Sequence, residues 1–214
     1  MPEQSPIEKR NTLAAEHIVK AVKARQLNGY YAQTKEEALQ IALSLIPEGS
    51  SVGWGGSVST VAIGLNDAVR TGNYRAIDRD TATTPEEREV LMHECLNADC
   101  FIMSTNALSE DGQLVNLDGN GNRVAALIYG PKRVIVVAGM NKVTKTLEDA
   151  VARCRNIASP INAQRFPGNT PCRKTGCCGD CSMPGCICAQ LVITRYSLNP
   201  NRIHVILVGE DLGF

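Results

Sequence analysis

The sequence predicts an α/β fold with a mostly parallel central sheet flanked by helices. Three observations carry that expectation. Segments with apolar residues at helical spacing alternate with short strand-like runs. The run Val134-Ile-Val-Val-Ala138 is apolar and β-branched almost throughout, the pattern of a strand buried on both faces. No internal repeat or low-complexity tract interrupts the alternation.

The elements follow in order. Ile7 to Leu27 carries Leu13, Ala14, Ile18, Ala21 and Val22 at helical spacing, and Asn28-Gly29 supplies a stop. Thr34 opens the next helix, with Glu37 positioned for a capping box. That helix runs through Leu45 and ends before Pro47. Ser51 to Trp54 reads as a strand, Gly55-Gly56-Ser57 as a tight turn, and Val58 to Val69 as a helix. Tyr74 to Asp78 is a strand. Pro85 to Leu96 is a helix with proline in its first turn and acids after it. Cys100 to Met103 is a strand leading into the loop Ser104-Thr105-Asn106. Leu114 to Leu117 and Val134 to Ala138 are strands, and Leu147 to Ile157 is a helix. Leu191 to Arg195 and Ile203 to Val208 complete the strands. Residues 1–214 are expected to form a single domain, with Phe166 to Cys188, rich in Gly, Pro and Cys, inserted before the last two strands.

Composition narrows the function. The chain has 214 residues with one Trp, three Phe and five Tyr, so its core must be aliphatic. Basic and acidic residues balance at 22 each, which leaves no electrostatic footprint for general nucleic-acid binding. No apolar run approaches the roughly 20 residues of a membrane helix. Met1 to Arg10 is polar, carries Pro2 and Pro6, and lacks the apolar stretch of a signal peptide. A cytoplasmic location is expected.

Of nine cysteines, Cys95, Cys100 and Cys154 sit among apolar neighbours, and six crowd into residues 172–188. In a reducing compartment such density points to a metal rather than to disulfides. Thiolates are soft ligands suited to iron–sulfur clusters and to zinc. The pattern is Cys172-x4-Cys177-Cys178-x2-Cys181-x4-Cys186-x-Cys188. It lacks the two separated knuckles of a zinc ribbon, and it does not match the bacterial ferredoxin run. An iron–sulfur cluster is the first expectation, zinc the alternative, and redox-active thiols a third.

Other segments suggest a ligand site. Gly55, Gly56 and Ser57 lie between a strand and a helix, where backbone amides favour an anion. The run Asn116-Leu-Asp-Gly-Asn-Gly-Asn-Arg123 imitates the start of a calcium loop. Arg123 stands where that loop needs glycine and Tyr129 where it needs glutamate, so calcium is rejected. The run instead presents Asp118, Asn122 and Arg123 to a ligand. Asn141 and Lys142 follow a buried strand, at the edge where open α/β sheets bind ligands. If the strands ending near Trp54, Met103 and Ala138 are parallel, these loops and Asn106 converge on one edge. Arg123 and Lys142 would then attract a small anionic metabolite. His17, His93 and His204 have no partner at motif spacing and read as structural or surface residues.

Several segments together resemble a known family. Gly53-Trp-Gly-Gly-Ser-Val-Ser-Thr60, Ser104-Thr-Asn-Ala-Leu-Ser-Glu-Asp-Gly112, Val115-Asn-Leu-Asp-Gly-Asn-Gly-Asn-Arg-Val-Ala-Ala126, Gly130-Pro-Lys-Arg-Val134 and Gly139-Met-Asn-Lys142 are similar to the LUD-domain family, the lactate utilization proteins of the LutC/YkgG type. The resemblance covers about Glu8 to Val208. It implies a fold like the ribose-5-phosphate isomerase and CoA-transferase sheet. It also implies a role beside iron–sulfur oxidoreductase subunits that oxidise L-lactate. A branch of the family carries Thr-Pro-Cys…Cys-x2-Cys…Ile-Cys near its C-terminus. The matching positions are Cys172, Cys178, Cys181 and Cys188, with Cys177 and Cys186 as alternates. The leading expectation is an iron–sulfur protein of the 4Fe-4S type serving lactate or related 2-hydroxy-acid oxidation, in electron transfer or as a complex subunit. The alternatives are an independent enzyme acting on a small anionic metabolite, and a zinc-stabilised binding or regulatory module.

Overall fold

A computed structural model describes residues 4–214, so Met1, Pro2 and Glu3 of the polar N-terminal stretch lie outside the described residues. In chain order the first elements are α1 (Pro6–Ala24), β1 (Asn28–Ala32), α2 (Lys35–Ser44), β2 (Ser51–Trp54), α3 (Val58–Ala62), α4 (Leu65–Thr71), β3 (Arg75–Ile77) and α5 (Pro85–Glu94). Then come β4 (Cys100–Met103), β5 (Ala107–Ser109), β6 (Leu114–Asp118), α6 (Asn122–Ile128), β7 (Arg133–Gly139), β8 (Val143–Thr144) and α7 (Leu147–Arg153). The last are α8 (Ser159–Ala163), α9 (Pro171–Thr175), β9 (Gln190–Thr194) and β10 (Ile203–Val208).

Six strands form a sheet in the order β1-β10-β7-β4-β2-β3, and every pairing in it is parallel. The side-chain alternation of β7 shows how both faces are covered. Val134, Val136 and Ala138 join Ile18, Val22, Phe101 and Leu127 on the side of α1 and α6. Ile135 and Val137 join Ala38, Ala42, Trp54 and Val69 on the side of α2 and α4. A period of two along a strand packed from both sides requires the continuous apolar run seen in the sequence.

Several elements differ from the sequence expectation. Asn28-Gly29 does not merely stop a helix. The helix ends at Ala24, Gln26 turns the chain with φ 56°, and Asn28 opens edge strand β1. A Cβ on Gly29 would lie 3.1 Å from the Val19 carbonyl oxygen, so glycine lets α1 press onto this strand. The Val58–Val69 helix is two helices, broken at Gly64 with φ 75°. Thr34 Oγ accepts from Glu37 N at 3.3 Å, but the Glu37 carboxylate accepts from Gln33 N, completing only half of the box. Around Pro85 the full box does form, between Thr84 and Glu87.

The largest difference concerns Leu114–Leu117 and Leu191–Arg195. Both belong to a second, four-stranded sheet in the order β8-β5-β6-β9, where β6 pairs antiparallel with β5 and β9. The cysteine segment therefore precedes a strand of the small sheet, not of the main one. Strand β9 is only partly covered, and its side chains gave no burial pattern to separate the two sheets.

Candidate functional site

Strands β2, β4 and β7 are neighbours and parallel, so their following loops share one edge of the main sheet. Those loops are Gly55–Ser57, Ser104–Asn106 and Met140–Lys142. Beside them, Asp118 ends β6, and its Oδ1 accepts from Gly121 N at 2.9 Å. Gly121, with φ 84°, then turns the chain into α6. This short helix has no counterpart among the elements expected from sequence, because its polar first residues hide the apolar Val124–Ile128 run.

Around this edge lies a cavity of about 590 Å³. Gly56, Ser57, Asn106, Asp118, Asn122, Arg123 and Lys142 line it, so seven of the residues singled out in the sequence meet there. Gly55 and Asn141 do not line it. Gly55 gives room to the Arg123 side chain, whose Cδ would stand 3.1 Å from a Cβ at that position. Asn141 holds the C-terminal tail: its Oδ1 accepts from Leu212 N at 3.1 Å and its Nδ2 donates to Gly213 O at 3.2 Å. That tail brings Phe214 to the cavity wall.

Arg123 is a structural bolt. Its Nη1 donates to Ser104 O at 3.0 Å and Asn116 Oδ1 at 2.6 Å. Its Nη2 donates to Asn106 Oδ1 at 3.0 Å and Leu117 O at 2.7 Å. Its Nε faces Asp118 Oδ2 at 3.3 Å. Four hydrogen bonds thereby engage the two terminal nitrogens, and Nε pairs with the Asp118 carboxylate. These bonds tie the Ser104–Asn106 loop to β6, and Arg123 also lines the cavity. Burial pushes its pKa down, and Asp118 opposes that shift. Arg153 ties the same loops from the other side, donating to Asn141 O at 3.1 Å and Asn106 O at 2.6 Å.

Among the described residues, Arg79 is a cavity-lining cation with an unsatisfied donor, which the sequence reading missed; its Nη1 donates to Met92 Sδ at 3.8 Å. It follows β3 on the same sheet edge, so the strand-end argument could have found it. Arg79 Nε is buried without a hydrogen-bond partner. Asp80 Oδ1 is 4.0 Å away and already bonded to Arg88 Nη2 at 3.1 Å. A Cβ on Gly56 would come within 2.7 Å of Arg79 Nη2, so this glycine makes room for the guanidinium. Burial, then the neighbouring Arg88, lowers its pKa.

Lys142 is 4% exposed. Its Nζ donates to Ser59 Oγ at 3.0 Å, Ser104 Oγ at 3.0 Å and Thr105 O at 3.3 Å. No carboxylate is bonded to it among the described residues. Burial, with Arg153 and Arg123 nearby, pushes its pKa from 10.5 down to about 7. Between those two values the folded chain binds fewer protons than the unfolded chain, so folding stability rises with pH. Across that window, wild type should gain up to about 1.4 kcal/mol per pH unit relative to Lys142→Met. Urea unfolding of both proteins at several pH values measures this. Parallel profiles would mean that Lys142 titrates as an ordinary lysine.

The cysteine loop closes the cavity on another side through Gly185, Cys186 and Ile187. A Cβ on Gly119 would lie 3.2 Å from Ile187 Cα, so that glycine lets the Asp118–Gly121 turn lie against the cysteine loop. Within the loop, Cys186 Sγ is 3.3 Å from Cys188 Sγ. Cys186 and Cys172 neighbour Cys181, and Cys186, Cys181 and Cys178 neighbour Cys188. Burial, then its thiol neighbours, pushes Cys188 up to about 12. Cys177 is exposed, its backbone N–H donating to Thr175 Oγ at 3.1 Å. Gly176 and Gly185 turn with φ 76° and 86°, and a Cβ on Gly179 would meet Pro171 Cβ at 2.6 Å, so glycines permit the folding of this loop. Among the described residues, no group of three or more His, Cys, Asp or Glu side chains stands at metal-holding separations. The donor chemistry nonetheless suits a soft metal, whose charge offsets the repulsion between neighbouring thiolates. Cys95, Cys100 and Cys154 are buried in the core, and Cys188 of the loop packs against the small cluster that holds Cys154. His204 stacks on Tyr30, and His93 is exposed.

A family model described as the LUD domain matches residues 15–208. A solved DUF162 family protein from Deinococcus radiodurans is similar over 96% of this chain and 99% of its own, with TM-score 0.50 and 14% identity. Ribose 5-phosphate isomerase A from Neisseria gonorrhoeae matches 53% of this chain and 54% of its own, with TM-score 0.35 and 16% identity. The tetrameric eIF2B-beta2-delta2 complex from C. thermophilum matches 94% of this chain and 57% of its own, with TM-score 0.41 and 17% identity. A comparison with curated proteins gives no match. No helix among the described residues is long and apolar enough to cross a membrane.

Proposed function

The chain belongs to the LUD-domain family, and from that premise we propose that it is an iron–sulfur protein serving the oxidation of lactate or a related 2-hydroxy acid. The observation that carries this reading is the shared loop. The segment bearing the clustered thiols also walls the polar cavity, through Gly185, Cys186 and Ile187. A small carboxylate in that cavity would sit beside the cluster.

Cys172, Cys178, Cys181 and Cys188 would hold a 4Fe-4S cluster, with Cys186 as the nearest alternate by its contact with Cys188. When bound, such a cluster supplies one-electron transfer. The chain's own residues do the rest. Arg79, whose Nε has no partner, offers a charged donor to a carboxylate. Arg123 and Arg153 hold the loops in place, and the tail with Phe214 narrows access of water. Electrons would pass to an iron–sulfur oxidoreductase subunit docked at the partly exposed cysteine loop. The proposed place of work is the cytoplasm, whose reducing conditions keep clustered thiols available to a metal.

Anaerobic purification with metal and sulfide analysis tests the reading. The expected result is a brown protein with a broad visible absorbance, carrying iron and acid-labile sulfide. Exposure to air should lower its metal content and produce partial disulfides, since freed thiolates oxidise readily. A colourless protein holding one zinc, unchanged by air, would replace the electron-transfer role with a zinc-stabilised module.

A further inference from the structure

We propose that Lys142 is a reactive amine that condenses with the carbonyl of a small 2-oxo acid, whose carboxylate Arg79 receives. This rests on reading the cavity as a small-carboxylate site.

The geometry supplies both halves. An amine used only for structure is ordinarily matched with a carboxylate. Lys142 instead faces two hydroxyls and one carbonyl, all at 3.0–3.3 Å. The nearby charges do not favour its burial as a cation, because Arg153 and Arg123 oppose its protonation and no carboxylate is bonded to it among the described residues. Desolvation and neighbouring cations are the two devices that keep a lysine neutral and nucleophilic. The amine nonetheless borders the cavity rather than a closed core. Across the same cavity stands Arg79, a guanidinium with a buried donor that nothing satisfies. Such a group is a cost unless an acceptor arrives. Both residues are anchored around one turn, Arg79 over Gly56 and Lys142 against Ser59. A guanidinium with an unsatisfied donor and an amine without a carboxylate partner, both lining one cavity beside one turn, suit a 2-oxo acid, since its carboxylate and carbonyl are adjacent.

The step balances without an oxidant. The Lys142 Nζ lone pair attacks the carbonyl carbon and forms a C–N bond. The carbonyl π pair moves to oxygen. The two amine protons leave with that oxygen as water, and C=N remains. Ser104 Oγ, 3.0 Å from Nζ, is placed to relay a proton to the departing oxygen.

The test uses the full chain near pH 7. Binding of oxalate, a carboxylate that cannot condense, is measured first by calorimetry. The chain is then incubated with pyruvate and cyanoborohydride, and intact mass and peptide maps are recorded. The expected result is one reduced adduct per chain, on Lys142. Excess oxalate should suppress it, Arg79→Met should slow its formation at least tenfold, and Lys142→Arg should abolish it. Oxalate binding without an adduct, or adducts spread over exposed lysines such as Lys145, would overturn the role of Lys142 and leave the cavity reading standing. No oxalate binding and no adduct would overturn both. The peptide map of the unmutated chain decides even if a variant fails to fold.

Discussion

Replacing Cys178 or Cys188 with serine is expected to strip most of the iron and the broad visible absorbance from anaerobically purified protein. A serine hydroxyl is a hard and weakly acidic donor, and it substitutes poorly for a thiolate at a soft metal. Cys178 lies beside the Arg155–Asp180 pair, and Cys188 lies among Cys186, Cys181 and Cys178. Cys177→Ser should be mild, because that thiol is exposed. Cys186 is the sharper control. With its sulfur 3.3 Å from that of Cys188, it competes for the same place. Loss of iron in Cys186→Ser together with full retention in Cys178→Ser would move a ligand from Cys178 to Cys186. Full retention in both Cys178→Ser and Cys188→Ser would sink the assignment of the cluster to this loop.

Arg123→Ala should cost about 3–5 kcal/mol of stability, the range for breaking a buried ion pair by removing one partner. The variant leaves Asp118, 8% exposed, facing an empty space, and it strands acceptors on Ser104, Asn106, Asn116 and Leu117. For a chain of this size the thermal midpoint should fall by roughly 6–20 °C. Arg123→Lys keeps the charge but loses the planar fork, so it should fall between the two. Thermal and urea unfolding measure the effect. A loss below about 0.5 kcal/mol, the level of an ordinary surface change, would overturn this structural role.

Parts of this site were legible in residues alone. Gly55–Ser57, Asn106 and Lys142 were placed on one edge because each follows a strand of the buried type. Three parallel strands then leave their loops no other side to occupy. Arg123 lines the cavity, and four of its donor bonds are also engaged by the protein itself. A sequence shows that an arginine is near a ligand edge, and it cannot show how many of its donors are already engaged. Arg79 was overlooked for the converse reason. Its importance lies in a partner it lacks, and an unsatisfied donor has no pattern in one dimension.

By itself the sequence determined the parallel main sheet, its two-sided aliphatic core and the gathering of soft donors in one glycine-rich loop. These follow from local periodicity, from apolar burial and from spacing, which are properties of neighbouring residues. Tertiary structure alone decided that Leu114–Leu117 and residues 190–194 pair in a second sheet, since antiparallel partners distant in sequence leave no local mark. It alone decided that Gly119 lets the cysteine loop reach the cavity, a contact made between backbones rather than side chains. It also decided the state of Lys142. Whether an amine is charged depends on the water and the charges within a few ångströms of it, and here those come from Ser59, Ser104, Arg123 and Arg153, on four separate segments.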